Sequence, residues 1–86
     1  MAEENYNYGL MLKSSRCNLI SNNSAINNKW DGIDFTDSGS NTLDENNAGE
    51  NSGYGISLFN SSNNTLARND ASGNELDGLL FCEQFD

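Results

Sequence analysis

Four glycines set the frame of this chain. Gly9, Gly32, Gly55 and Gly78 recur every 23 residues in a sequence of 86. The units they open read GLMLKSSRCNLISNNSAINNKWD, GIDFTDSGSNTLDENNAGENSGY, GISLFNSSNNTLARNDASGNELD and GLLFCEQFD. Agreement extends past the glycines. One residue on stand Leu10, Ile33, Ile56 and Leu79, and two further on stand Leu12, Phe35, Leu58 and Phe81. Asparagines follow in phase as Asn18, Asn41, Asn64, then Asn23, Asn46, Asn69, then Asn28, Asn51, Asn74. Between them run the aliphatic column Ile20, Leu43, Leu66 and the alanine column Ala25, Ala48, Ala71. An asparagine-rich disordered linker would hold no such phase. The chain is a repeat protein.

A 23-residue unit is too short for a helical pair, whose repeats run to about 33 residues or more. A leucine-rich repeat needs L-x-x-L-x-L-x-x-N and an apolar convex segment, but the second half of each unit is Asn, Ser, Ala and Gly. Short strands separated by tight corners match instead. The pattern predicts an all-β parallel β-helix, a solenoid of about 3.5 coils at 9–31, 32–54, 55–77 and, in part, 78–86. Residues 1–5 read as an acidic lead-in or cap. Successive coils would stack about 4.8 Å apart. Equivalent asparagines would then form ladders, each amide donating to the next coil while its own backbone takes a left-handed corner. The expected inward residues are Leu10, Leu12, Ile20, Ile33, Phe35, Leu43, Ile56, Leu58, Leu66, Leu79 and Phe81.

Charge excludes some partners. Thirteen acidic residues against four basic ones, and no His, give a net charge of −9. Nucleic acid and anionic membrane surfaces would be repelled. No apolar run approaches the roughly 20 residues that span a bilayer. The start, MAEENYNYGL, lacks a basic-then-apolar signal peptide. Cys17 and Cys82 lie far apart without C-x-x-C spacing and read as two ordinary thiols.

The motifs GIDF…SGSNTLDENNAGEN and GISLFNSSNNTLARNDASGN resemble the β-helix repeats of the NosD-like and carbohydrate-binding/sugar-hydrolase group, with their G-I-x-L-x-x-S-x-x-N-T-I-x-x-N pattern. The resemblance covers residues 6 to 86. It implies a right-handed parallel β-helix and a secreted, periplasmic or cell-surface location. It is specific for fold and unspecific for activity, since the group includes copper-site maturation proteins, surface-layer proteins, pectate-lyase-like enzymes and epimerases. Its members often have about ten coils, where this chain has fewer than four.

Candidate chemistry gathers near the second glycine. Asp31 and Asp34 offer a carboxylate pair, but cleavage of a polyuronate also needs clustered cations. Lys13, Arg16, Lys29 and Arg68 are scattered in phase. Carbohydrate binding asks less: an aromatic platform with polar neighbours, which Trp30, Tyr54 and Phe59 with Asp31 and Asp34 would supply. Copper favours His, Cys and Met. Without His the candidates are Cys17, Cys82, Met1 and Met11, and Met11 and Cys82 stand three coils apart, roughly 14 Å, so no metal site is expected. Asp and Asn oxygens suit Ca²⁺, but no D-x-D-x-D-G loop is present. Asn22, Asn60 and Asn63 open N-x-S/T sequons. At the apolar end, Leu79, Leu80, Phe81 and Phe85 lack a polar cap and read as a self-association surface, for a dimer or an end-to-end stack. The function expected is a non-enzymatic structural or surface module that associates through its coil ends and contacts polysaccharide. The alternatives are a remnant of a polysaccharide lyase, hydrolase or epimerase, and a simple carbohydrate-binding module.

Overall fold

The computed structural model describes residues 2–82. Within them the strands are β1 (Ala2–Glu3), β2 (Leu10–Lys13), β3 (Leu19–Ser21), β4 (Ala25–Ile26), β5 (Ile33–Thr36), β6 (Thr42–Asp44), β7 (Ile56–Phe59), β8 (Thr65–Ala67) and β9 (Leu79–Cys82). Every strand pairing is parallel and joins residues one repeat apart, as in Leu10↔Ile33, Ile33↔Ile56 and Ile56↔Leu79. The chain is a parallel β-helix. One wall is the sheet β2-β5-β7-β9 and a second is β3-β6-β8. The third wall is β1 on β4, continued by the single parallel bridges Ser24↔Asn47 and Asn47↔Asp70. Ala2–Glu3 thus carry this wall one rung before the first glycine. Ala2 pairs with Ala25, and the Asn5 N–H and Nδ2 donate to Asn28 Oδ1 at 3.1 and 2.9 Å.

The walls enclose a narrow core of Ile20, Ala25, Ile33, Phe35, Leu43, Ala48, Ile56 and Leu58, with Leu10, Leu12, Leu66 and Ala71 packed against it. Each large aliphatic or aromatic side chain buried here contributes about 1.5–3 kcal/mol. Alanine holds the third wall because the glycine column abuts it. A Cβ on Gly55 would lie 2.7 Å from the Ala71 Cβ and 2.6 Å from Asn74 Nδ2. Leu79, expected inside, stays in register over Ile56 but is 43% exposed, since among the described residues it lies on the last rung. The Phe81 side chain and Phe85 lie outside the described residues. Met11 is exposed, whereas Asp34 and Ser57, in register with it on the same strand column, are only 5% exposed.

The corners explain the asparagines. A strand ladder breaks where the chain turns, leaving an N–H and a C=O on each coil without a backbone partner. The asparagine of the next coil takes both. Asn51 Oδ1 accepts the Asn28 N–H at 2.8 Å, and Asn51 Nδ2 donates to the Ala25 carbonyl at 3.0 Å. Asn46 does the same for the Asn23 N–H at 2.9 Å and the Ile20 carbonyl at 2.9 Å, as Asn41 does for Asn18 and Ser15. Serine fills the fourth corner, where the Ser15 N–H donates to Ser38 Oγ and the Ser38 N–H to Ser61 Oγ.

The left-handed turn itself falls elsewhere than expected. The columned asparagines do not adopt it. The residue just before each does: Glu4, Asn27, Glu50 and Gly73 before one column, Cys17, Ser40 and Asn63 before another, Asn22, Glu45 and Arg68 before the third. Ser14, Asp37 and Asn60 precede the serines in the same way. The asparagine side chain must enter the stack, so the outward-pointing neighbour absorbs the turn, at a cost of roughly 1–2 kcal/mol where it is neither Gly, Asn nor Asp.

Candidate functional site

The residue before each framing glycine starts the outer face of the first wall, and the residue before that lies on the corner. These columns hold Tyr8, Asp31, Tyr54 and Asp77, and Asn7, Trp30, Gly53 and Leu76. At the corner the Trp30 and Tyr8 rings meet edge to face, centroids 5.3 Å apart and planes at 83°. Trp30 remains 52% exposed. Gly53 leaves the space this needs: a Cβ there would run into Asp31 Oδ1 and lie 2.9 Å from the Trp30 carbonyl carbon. A groove of ≈ 270 Å³ results, lined by Tyr8, Lys29, Trp30, Asp31, Ser52, Gly53 and Leu76.

Its electrostatics are acidic. Asp31 Oδ1 accepts the Tyr54 N–H at 2.7 Å, which fixes the carboxylate. Burial raises the Asp31 pKa, the Tyr54 N–H opposes the rise, and Asp34 adds to it. Two residues beyond Gly32, Asp34 is also raised by burial, against hydrogen bonds from Thr36 and Ser57. The Thr36 hydroxyl donates to Asp34 Oδ2 at 3.1 Å. Tyr8 is raised by burial, then by Asp34 and by Asp31.

Of the residues singled out in the sequence, the structure brings Trp30 and Asp31 together and couples Asp34 to them. Tyr54 contributes its backbone N–H. Phe59 sits apart at the far end of β7, opposite Thr36 and about 7 Å along the strand from Ser57. Sequence reasoning did not place Tyr8, Lys29, Gly53 or Leu76 in the site. The gap at Gly53, a glycine in a column of Asn, Trp and Leu, was the available signal.

Residues 2–86 match the family described as Periplasmic copper-binding protein (NosD). The chain belongs to this family. No curated protein matches it, and no solved structure does. The copper in the NosD description calls for soft or imidazole donors. This NosD-family chain contains no His. Its Cys17 is exposed on a corner, and the described residues hold no group of three His, Cys, Asp or Glu side chains placed for a metal. These residues do not suit copper. No helix among the described residues is long and apolar enough to cross a membrane.

Proposed function

We propose that this chain is a non-enzymatic β-helix module of the periplasm that holds polysaccharide at the Trp30–Tyr8 corner. The observation that carries the reading is the edge-to-face aromatic pair beside a carboxylate pinned by a backbone N–H. A sugar ring presents C–H bonds to an exposed indole face and donates hydroxyl protons to the neighbouring carboxylate. The acidic surroundings and the net charge of −9 select against polyuronates and for neutral or ammonium-bearing sugars.

The carboxylate pair supports binding better than catalysis. Acid and base partners need environments that push their pKa values apart. Asp31 and Asp34 are both raised, each first by burial, and Asp34 is held by Thr36 and Ser57 on an almost covered strand. Association through the coil ends belongs to the same reading. It is supported by Leu79, 43% exposed in an inward column on the last described rung.

Titration of the single tryptophan's fluorescence with chitosan, β-glucan and galacturonate oligosaccharides tests the proposal. The expected result is a saturable shift with the first two and none with the third, lost in Asp31→Asn. An unchanged spectrum with every sugar would overturn it, and turnover of a polyuronate lost in Asp34→Asn would restore the enzymatic alternative.

A further inference from the structure

The Trp30 corner holds more negative charge than it balances. Asp31 Oδ1 accepts the Tyr54 N–H, while Asp31 Oδ2 accepts no hydrogen bond among the described residues. Asp34, three residues on and almost covered, keeps a second carboxylate near enough to act on both Asp31 and Tyr8. One cation lines the groove, Lys29. It neutralises neither carboxylate, because the ion pairs among the described residues both belong to Arg68, just past β8. Burial raises the pKa of both carboxyls, and the Asp34 charge adds to the rise at Asp31. A cation seated in the groove would offset that penalty.

The aromatic half of the corner asks for the same charge. An aromatic ring carries a negative π face, and its attraction for an ammonium is strongest at Trp. The edge-to-face contact with Tyr8 holds the Trp30 ring in place while half of the residue stays exposed. At ≈ 270 Å³ the groove falls below ligand pockets of about 300–1,000 Å³, so it holds one sugar ring rather than a length of chain. An ammonium on a ring stacked here meets the indole face and the Asp31 carboxylate together. A hydroxyl in its place brings no charge to either, and an acetamide turns a carbonyl oxygen toward the acid.

We propose that the corner selects an amino sugar in its ammonium form, the ammonium donating to Asp31 Oδ2 and lying against the Trp30 face. This rests on the reading of the corner as a sugar site and names the class of sugar. Asp34 is a positioning charge: Thr36 and Ser57 hold it, and it acts on the ligand through the field and not by contact. Lys29 opposes the ligand. Its like charge on the groove wall sets how strongly the ammonium is preferred.

Three tetrasaccharides with one backbone linkage and one variable substituent make the probe: glucosamine for the ammonium, N-acetylglucosamine for the acetamide and glucose for the hydroxyl. Each is titrated into the 86-residue chain, at a pH where the amine is protonated, and followed by the fluorescence of its single tryptophan. The glucosamine tetramer should bind about tenfold tighter than the other two, and added salt should narrow the gap. Lys29 is exposed, so Lys29→Gln leaves the fold intact, and it should widen the gap about threefold. Equal affinity for the three sugars would overturn the selection and leave the sugar reading standing, whereas no binding by any of them would remove both. Ethanolamine binding as tightly as the glucosamine tetramer would also overturn the proposal, since the ring would then contribute nothing. So would a gap that Lys29→Gln narrows.

Discussion

Glu45 and Asn46 divide one corner between them. Glu45 takes the left-handed turn, at φ 58°, with its side chain in solvent, while Asn46 sends a buried amide into the stack to satisfy the Asn23 N–H and the Ile20 carbonyl. The pair makes opposite demands, and opposite substitutions should therefore move stability in opposite directions. Asn46→Ala strands two buried backbone groups at about 1–3 kcal/mol each. A domain of this size has only about 4–13 kcal/mol to lose. Glu45→Asn relieves the turn and should stabilise by about 0.5–1 kcal/mol. Urea denaturation of both variants checks the pair. A stabilising Asn46→Ala would show that the amides are ornamental.

The glycine column makes a second test, because close approach and not backbone sign explains it. None of the four framing glycines has the left-handed φ found at Gly73. A Cβ on Gly32 would instead stand 2.6 Å from Asn51 Nδ2, 2.8 Å from the Gly55 carbonyl oxygen and 2.9 Å from the Ala25 carbonyl oxygen. Those neighbours are backbone or a fixed amide and cannot retreat. Gly32→Ala should cost about 1–3 kcal/mol through overpacking, whereas Gly39→Ala meets one carbonyl, at 2.8 Å, on an open corner and should cost less. Comparison of the two unfolding midpoints decides the matter.

Much of this was legible because stacking makes residues one period apart touch, so the periodicity of the string is the contact map. The same rule held signals left unread. Ala2 stands one period before Ala25, Asn5 one before Asn28, and Ser15, Ser38 and Ser61 are in phase, so the extra rung and the serine corner were open to reading. The turning residue was not. Glu50, Cys17 and Arg68 have nothing in common but a position next to an asparagine that needed the interior. The covering of Asp34 was equally hidden. Alternation puts it outward, and only Thr36, Ser57 and the flanking tyrosine decide that outward is not exposed. Phe59 and Trp30 look alike as aromatics in the sequence, yet among the described residues only Trp30 has a ring partner and an adjacent gap at Gly53.

The acidic cluster predicts a pH dependence whose sign is set by the raised pKa values of Asp31 and Asp34. A carboxyl whose folded-state pKa lies above its unfolded one binds its proton more tightly in the fold. Between the two pKa values the folded state holds more protons, so stability falls as pH rises through that window. The burial penalty is absent below the unfolded value and fully present above the folded value. Relief of the overall negative charge adds in the same direction. The chain should therefore melt higher at pH 4, close to the ordinary carboxylate value of 3.8, than at pH 8. Asp34→Asn, which removes the larger part of the buried charge, should raise the melting temperature at pH 8 and flatten the profile. A wild-type profile rising with pH would contradict the assignment.

The groove makes the last prediction, which separates binding geometry from the mere presence of an indole. Gly53→Ala leaves Trp30, Tyr8 and Asp31 in the sequence but drives a methyl into the Asp31 carboxylate and the Trp30 backbone. The carboxylate must then leave the Tyr54 N–H that it accepts at 2.7 Å. Freed of that bond, which lowers its pKa, Asp31 should titrate at higher pH than in the wild type. Sugar affinity should fall at least tenfold, about 1.4 kcal/mol, comparable to Trp30→Ala, while Phe59→Ala, at the far end of β7, should leave it unchanged. Isothermal titration with the same oligosaccharides, with the carboxyl followed by carbon NMR, reads both effects in one set of variants. If Phe59→Ala abolished binding and Gly53→Ala did not, the ligand would lie along the outer strand face and the corner groove would be incidental.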